Sequence, residues 1–508
     1  MGIKGLPKLI SEATQNSAIK TCHFSKLQGE TVAVDASLMI YQSVIAIRSR
    51  GIDMTNKDGK LTSQLHGLFY KILYFLEMGI IPIFVFDGKP PPIKTKTLIK
   101  RNLRRTQAEN NLTNLKNKHN TNTSNAQYIK NFKQTFKPTK EDIIETQILL
   151  DLMGIPYIVA PGEADVVLSW LASRKNPLTN KRYAKGVCSD DSDMLAFGAK
   201  YLFKNSLQFM NNNKSITVIS LNKTLVKMNL SMDQFVDMCV LLGCDGCDNL
   251  KGIGPKKAHK NIARLGTLEK VILEYNASKK TACTSSETGT DTESESTDTT
   301  SDVNDVNDVN EDTEEKSSEE TEEKTNEECL IEMRNYFRNA LTELDESEDF
   351  VIADEQLNLR QYQYSELIDF MCNKHNFDPI RIQNGMNRLK MFYKKMNVTR
   401  KNDKKVYKII QPMSTNYILK KMSDSYEFLP SDSDDSSDSS ESSRSLRVSY
   451  PSNSSDEDII ESNKLPFKKN SPIESLKKNP HIKNKTNKVQ SKKNQPLKRV
   501  ANDFIYKR

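Results

Sequence analysis

The sequence predicts an α/β fold, on three observations. Short apolar runs of strand length alternate with longer segments of helical period, the pattern of a sheet covered by helices. Four of those runs lead into acids: residues 31–34 into Asp35, 81–86 into Asp87, 156–160 into Glu163 and Asp165, and 185–188 into Asp191 and Asp193. A helical segment closing at Leu242-Gly243 is followed by Asp245. In a parallel sheet ligands bind at the carboxyl ends of the strands, so acids gathered there read as lining a site. A single Asp after a strand is commonly a turn former or an N-cap, but repetition at several strand ends argues against that reading.

Seven carboxylates cannot share a small site without cations. At about 5 Å and an effective dielectric near 20, each like-charged pair costs roughly 3 kcal/mol. Hard divalent ions resolve the conflict, because Mg²⁺ takes oxygen ligands and retains several waters. Two such ions would activate a water and stabilise the leaving oxygen of a phosphate ester.

Composition narrows the class. A chain of 508 residues exceeds one compact core, and a mean hydropathy of −0.62 favours long polar segments. No apolar run reaches membrane-spanning length, and residues 1–6 have neither a signal-peptide apolar region nor a myristoylation Ser or Thr, so a soluble intracellular protein is expected, with no membrane partner. Eight cysteines without disulfide-like spacing suit a reducing compartment. Cys244 and Cys247 form the one close pair, and no second pair or zinc-spaced histidines accompany it. The net charge of +8 hides a partition. Residues 284–328 carry 18 Asp or Glu against 2 Lys, leaving 72 basic against 48 acidic residues elsewhere, or +24. A body that basic points to nucleic acid.

In order, residues 2–13 read as a loop and short helix, 31–35 as a strand, and 36–48 as an amphipathic helix that places Tyr41 and Arg48 on one face. Both side chains could merely pack and solvate that helix; their position after Asp35 equally allows them to face a substrate. An apolar helix over 65–78 stops at Gly79, and 80–87 is a second strand. Residues 94–140 are rich in Lys, Arg, Asn and Gln, and Tyr128, Phe132 and Phe136 recur at helical spacing among lysines. Such a mixture suits single-stranded nucleic acid, although the aromatic stripe reads better as packing on the body. Helices are expected over 142–153 and 231–242. Between helices, residues 250–258 hold the turn Gly252-Ile253-Gly254 with Lys256 and Lys257, whose free amides at a helix N-terminus suit a DNA phosphate; alone, Gly-x-Gly is a weak signal. Residues 276–328 are low-complexity Ser, Thr, Asp and Glu, too polar to fold. Helical periodicity returns over 364–396, residues 431–443 are a Ser/Asp/Glu run, and 464–508 form a basic tail suited to phosphate or nuclear import.

At these residues the chain resembles the flap endonuclease branch of the flap endonuclease/XPG nuclease family, over about 1–275 and again over about 329–395. The motifs are Met-Gly-Ile-Lys-Gly-Leu at the start, Val-Asp-Ala-Ser at 34–37, Val-Phe-Asp-Gly-Lys-Pro-Pro at 85–91, Ala-Pro-Gly-Glu-Ala-Asp at 160–165, Leu-Leu-Gly-Cys-Asp at 241–245 and Gly-Ile-Gly-Pro-Lys at 252–256. The resemblance implies a mixed, mostly parallel sheet flanked by helices, of the PIN-like 5′-nuclease kind, with a helical arch that a 5′ single strand threads and a helix-two-turn-helix that grips duplex. It divides the chain into an N-terminal nuclease region (1–100), an arch (101–140), an internal nuclease region (141–275), an acidic insert (276–328), a C-terminal nuclease part (329–398) and a tail (399–508). Asp35, Asp87, Glu163 and Asp165 would serve a first metal, and Asp191, Asp193 and Asp245 a second. Arg48, Lys94 and Arg101 resemble the residues that bring the scissile phosphate onto the metals; Tyr41 resembles the aromatic that stacks at the junction. Lys71, Gly243, Gly252, Gly254, Lys256 and Lys257 would contact DNA.

The implied cofactors are two Mg²⁺ per site, with Mn²⁺ as a substitute, and K⁺ at the helix-two-turn-helix. The implied partner is branched DNA with a 5′ flap, met by a monomer in the nucleus or in a cytoplasmic replication compartment. A sliding clamp is a further candidate, but residues 411–418 place Ser414 where a clamp-binding peptide is apolar. Other departures are Asp165 in place of the usual Glu, Lys71 in place of an arginine, and Cys244 and Gly246 in place of Ser and Tyr. The expected activity is structure-specific 5′ flap cleavage in replication and repair. Its rivals are a mainly 5′→3′ exonuclease and a catalytically silent DNA-binding scaffold, the latter disfavoured because acids near phosphates do not help a pure binder.

Overall fold

The computed structural model describes residues 2–117, 126–177, 179–207, 215–284, 325–402, 411–413 and 421, all within the unit Met1–Asp432. The acidic run at 285–324, the tail beyond 421 and most of the segment scanned for a clamp peptide lie outside the described residues.

The chain opens with α1 (Leu6–Ala13) and β1 (Ile19–His23), then β2 (Thr31–Asp35), α2 (Ala36–Arg48), α3 (Ser63–Glu77) and β3 (Ile81–Phe86). A hairpin of α4 (Thr95–Asn117) and α5 (Ala126–Gln134) follows, then α6 (Lys140–Met153), β4 (Tyr157–Val159), α7 (Ala164–Ser173), β5 (Val187–Cys188), α8 (Asp193–Ala196), β6 (Tyr201–Lys204) and β7 (Ser215–Ser220). The rest is helical: α9 (Leu221–Met228), α10 (Met232–Leu241), α11 (Pro255–Leu265), α12 (Leu268–Thr284), α13 (Asn326–Glu346), α14 (Tyr364–Ile368) and α15 (Pro379–Asn402). No described helix is long and apolar enough to cross a membrane.

The seven strands form one sheet in the order β1-β7-β6-β5-β2-β3-β4. β4, β3, β2, β5 and β6 run parallel, and β7 pairs antiparallel with both β6 and β1. The sheet is thus mixed and mostly parallel. Because β3 and β4 extend to one side of β2 while β5 joins its other side, the order reverses beside β2 and leaves a crevice at the strand ends.

Alternation along the strands builds two cores. Ala33, Ile83, Val85, Val187 and Leu202 face a layer that includes α1, α7 and α10 to α13; Val32, Val34, Phe84, Phe86, Cys188 and Phe203 face α2, α3, α6, α14 and α15. β3 is buried at every residue because helices cover both of its faces.

The ends of the helices have local causes. α6 starts with a reciprocal capping box between Thr139 and Asp142 and stops at Gly154, whose φ of 73° suits glycine. Ser231 with Gln234 starts α10 in the same way. Two boundaries differ from the sequence reading. Helix α12 continues to Thr284, into the segment expected to be unfolded from 276, and α13 begins at Asn326 behind a capping box of Thr325 and Glu328. The strands β1, β6 and β7 are likewise additions to what the sequence predicts.

Candidate metal and nucleic-acid site

β2, β3 and β5 end side by side. Asp35 closes β2 and caps α2, its carboxylate accepting the Leu38 amide at 2.8 Å. Asp87 follows β3 and accepts from Ser37 Oγ at 2.5 Å and from the Ala164 amide at 3.1 Å, which ties the strand end to α2 and α7. Gly88 lets the chains approach: its amide donates to the Gly162 carbonyl at 2.7 Å, and a Cβ there would collide with the Ala160 carbonyl oxygen. Glu163 holds the N-cap position of α7 and Asp165 its first turn. Asp191 follows β5 and accepts the amide of Asp193, which opens α8, at 3.0 Å. Asp245 lies in the turn after α10, where the Cys244 amide donates to the Cys247 carbonyl at 3.0 Å. The two sulfurs there are unbonded thiols 3.4 Å apart.

Six of the acids, Asp35, Asp87, Glu163, Asp165, Asp191 and Asp245, line one cavity of about 380 Å³. Tyr41 lines it too, as do Lys94, in the turn just before α4, and Thr97, Leu98 and Arg101, which share one face at the start of α4. Asp193 lies outside that lining, wholly buried beside Asp191.

Crowding shows in the charges. Burial, then Asp87 and Asp191, push Asp35 up to about 7. Burial and then Glu163 raise Asp165, and burial and then Asp191 raise Asp193, each well above the usual carboxylate range. Lys94 ion-pairs with Glu163 and lies 3.7 Å from Asp165. Burial alone would lower the lysine, but these acids outweigh it and hold its ammonium above the ordinary lysine range. Arg101 ion-pairs with Asp245, and the Thr97 hydroxyl donates to the Asp245 carbonyl.

These residues fit a hard divalent cation. Both carboxylate oxygens of Asp193 are buried with no hydrogen-bond partner, which a charged group tolerates only beside a cation. The donors are all carboxylate oxygens, the set chosen by Mg²⁺ or Mn²⁺ rather than by soft metals. Among the described residues no group of acids already converges as a closed ligand set, and Lys94 and Arg101 lie among the acids.

Other predicted residues sit elsewhere. Arg48 is buried and does not line the cavity: Nε and Nη2 donate to the Asp53 carboxylate at 2.8 and 2.9 Å, Nη1 donates to the Phe132 carbonyl and to Thr135 Oγ1, and the guanidinium lies 4.4 Å from the Phe132 ring centroid. The aromatic stripe of α5 thus packs on the body, and Phe136 is buried. Lys71, expected at a substrate phosphate, is buried against the rings of Tyr74 and Phe75, and burial lowers it to about 8. Gly243 is a turn residue whose carbonyl accepts the Lys4 amide. Gly252, Gly254, Lys256 and Lys257 border a second cavity of about 370 Å³ beside α1.

Ser37, Ser189 and Thr97 are not foreseen from the sequence because lone hydroxyls carry no spacing signal; Ser189 donates to Asp35 at 3.3 Å. Tyr336 is not foreseen either, and its hydroxyl donates to Glu163 Oε2 at 2.9 Å across 173 residues.

Comparison with known proteins supplies the family. The XPG N-terminal domain profile matches residues 1–108, and the XPG I-region profile matches 154–245. Flap endonuclease 1 of Nematostella vectensis is 39% identical over 281 residues, covering 55% of this chain and 71% of that one. Flap endonuclease 1 of Saccharomyces cerevisiae is 38% identical over 273 residues, 54% and 68% of the two chains. Among solved structures, flap endonuclease-1 from Methanococcus jannaschii aligns with a TM-score of 0.47 at 22% identity, over 75% of this chain and 99% of that one. Human GEN1 in complex with Holliday junction DNA aligns at 0.48 and 16% identity, over 79% and 81%. The two profiles and the flap endonuclease relatives define the class, a metal-dependent, DNA-binding nuclease. The chain belongs to the XPG/flap endonuclease family of 5′ nucleases.

Proposed function

We propose that this nuclease is a Mg²⁺-dependent endonuclease that cuts 5′ flaps near the junction of single strand and duplex, in replication and repair. The observation that carries the reading is the shared cavity: six acids, five of them beside the strand ends and Asp245 after α10, line it together with Lys94 and Arg101. In this reading Asp35, Asp87, Glu163 and Asp165 hold one Mg²⁺ or Mn²⁺, and Asp191, Asp193 and Asp245 a second. Bound there, the ions supply an activated water and stabilise charge on the leaving oxygen.

The remaining work falls to the chain. Lys94 and Arg101 exchange their carboxylate partners for the scissile phosphate, so the same two side chains offset part of the cavity's negative charge before metal binds and grip the phosphate after it. Tyr41, which is 37% exposed in the wall, offers a ring for the base at the junction. The α4–α5 hairpin encloses the 5′ single strand, and release of Arg48 from Asp53 and α5 gives it a third phosphate-binding cation. The Gly252–Lys257 turn, with K⁺, holds the duplex backbone through amides at the start of α11.

Labelled flap, gapped, blunt and single-stranded DNAs, incubated with Mg²⁺ or with chelator, test this. One dominant Mg²⁺-dependent cut close to the flap junction is expected. Stepwise release of short products from blunt ends, without a flap product, would establish the exonuclease instead; binding without cleavage would establish the scaffold.

A further inference from the structure

The helix α13 comes from beyond the acidic insert, yet it reaches the acid cavity. It packs against α7 and α10, and its far end is pinned where Asp345 accepts from Trp170 Nε1 at 2.5 Å and from the Arg174 guanidinium at 2.6 Å. Phe197 holds the Tyr336 ring edge-on at 5.6 Å. So fixed, the Tyr336 hydroxyl donates to Glu163 Oε2 at 2.9 Å, while Lys94 engages Oε1.

We propose that Tyr336 is a positioning residue that orients Glu163 for a divalent cation. A glutamate has three rotatable side-chain bonds, and the helix start at α7 fixes none of them. Two donors on two different oxygens do. When Lys94 turns to a phosphate, Tyr336 still holds Oε2, and Oε1 is left directed into the cavity. A phenol suits this task because it donates one hydrogen bond without adding a positive charge that would compete with the ion. Partners of this kind, which touch the ligand and not the metal, commonly change metal affinity 10- to 100-fold.

The inference rests on Glu163 being a metal ligand, and the test separates the two. Binding of Mn²⁺ to the full-length, DNA-free chain is followed by the electron paramagnetic resonance signal of free Mn²⁺, for wild type, Tyr336→Phe and Tyr336→Leu. Melting is measured in chelator. Weakening of at least one Mn²⁺ site by about tenfold in both variants, with the Phe variant melting as wild type does, is the expected result. Wild-type Mn²⁺ affinity in the Phe variant would overturn the role of Tyr336 and leave the metal site intact; so would a loss of affinity matched by earlier melting, which marks packing. A wild type that binds no Mn²⁺ would overturn the metal site itself.

Discussion

The acid cavity and the turn before α11 both concentrate charge, by opposite means. In the cavity, Lys94 and Glu163 pair with side chains only 11% and 10% exposed, among carboxylates that repel one another. At the turn, Lys256 meets Glu12 at 3.4 Å with 85% and 41% exposed side chains, and Lys257 and the backbone amides supply the other donors. Buried charges interact strongly and need partners, whereas exposed pairs are screened and contribute little. The cavity is therefore a coupled unit whose state changes with its cations, and the turn a set of nearly independent exposed groups.

The largest effect is expected at Asp193. Asp193→Ala removes a wholly buried carboxyl with no hydrogen-bond partner, so flap cleavage should fall by about three orders of magnitude or more while melting in chelator rises. Single-turnover kinetics with Mg²⁺ and calorimetry in chelator check both; a variant that cuts well would remove Asp193 from the site and the coupling with it. Next is Lys94→Ala, which leaves Glu163 and Asp165 buried without their cation. It should cost about 3 kcal/mol of stability in chelator, and Mg²⁺ should restore most of the loss in a denaturant titration. If Mg²⁺ does not, the lysine and the metal do not share these acids.

Effects at the turn should be smaller and of a different kind. Lys256→Ala with Lys257→Ala should weaken flap binding several-fold and flatten the slope of log affinity against log salt by about 0.9 for each duplex phosphate left without its lysine. The cut position should stay where it is; a shifted cut would show that the turn steers the reaction. Smallest of all, deleting residues 286–323 while keeping the Thr325 cap should leave turnover intact and raise DNA affinity at low salt, because that run repels phosphate. Turnover that disappears in a folded deletion variant would tie the run to the cavity.

What is legible in the sequence follows from the same physics. β2 to β5 and their acids can be read because an apolar run stopped by a carboxylate is a local signal. β1, β6 and β7 cannot, since Ile19–His23 and Ser215–Ser220 mix polar and apolar residues, and β6 ends in Lys204 with no acid behind it. Lys71 is misplaced when a charge at a family position is read as exposed, although Leu68, Ile72 and Phe75 on the same helix mark a buried face. Arg48 reads as a phosphate ligand because its bidentate partner Asp53, five residues on and past the helix end, lies outside the spacing of any helical pair. Tyr336 has no signal at all: only the packing of α13 brings it to Glu163.

The order of these parts along the chain has a consequence for biosynthesis. All seven acids leave the ribosome before α13 and α15 exist. Until α15 arrives, the second core lacks Ile382, Met386, Leu389 and Phe392, and the Tyr393 hydroxyl is not there to donate to the carbonyls of Arg360 at 2.7 Å and Met153 at 3.0 Å. A nascent chain that already carries every acid thus still lacks part of the second core.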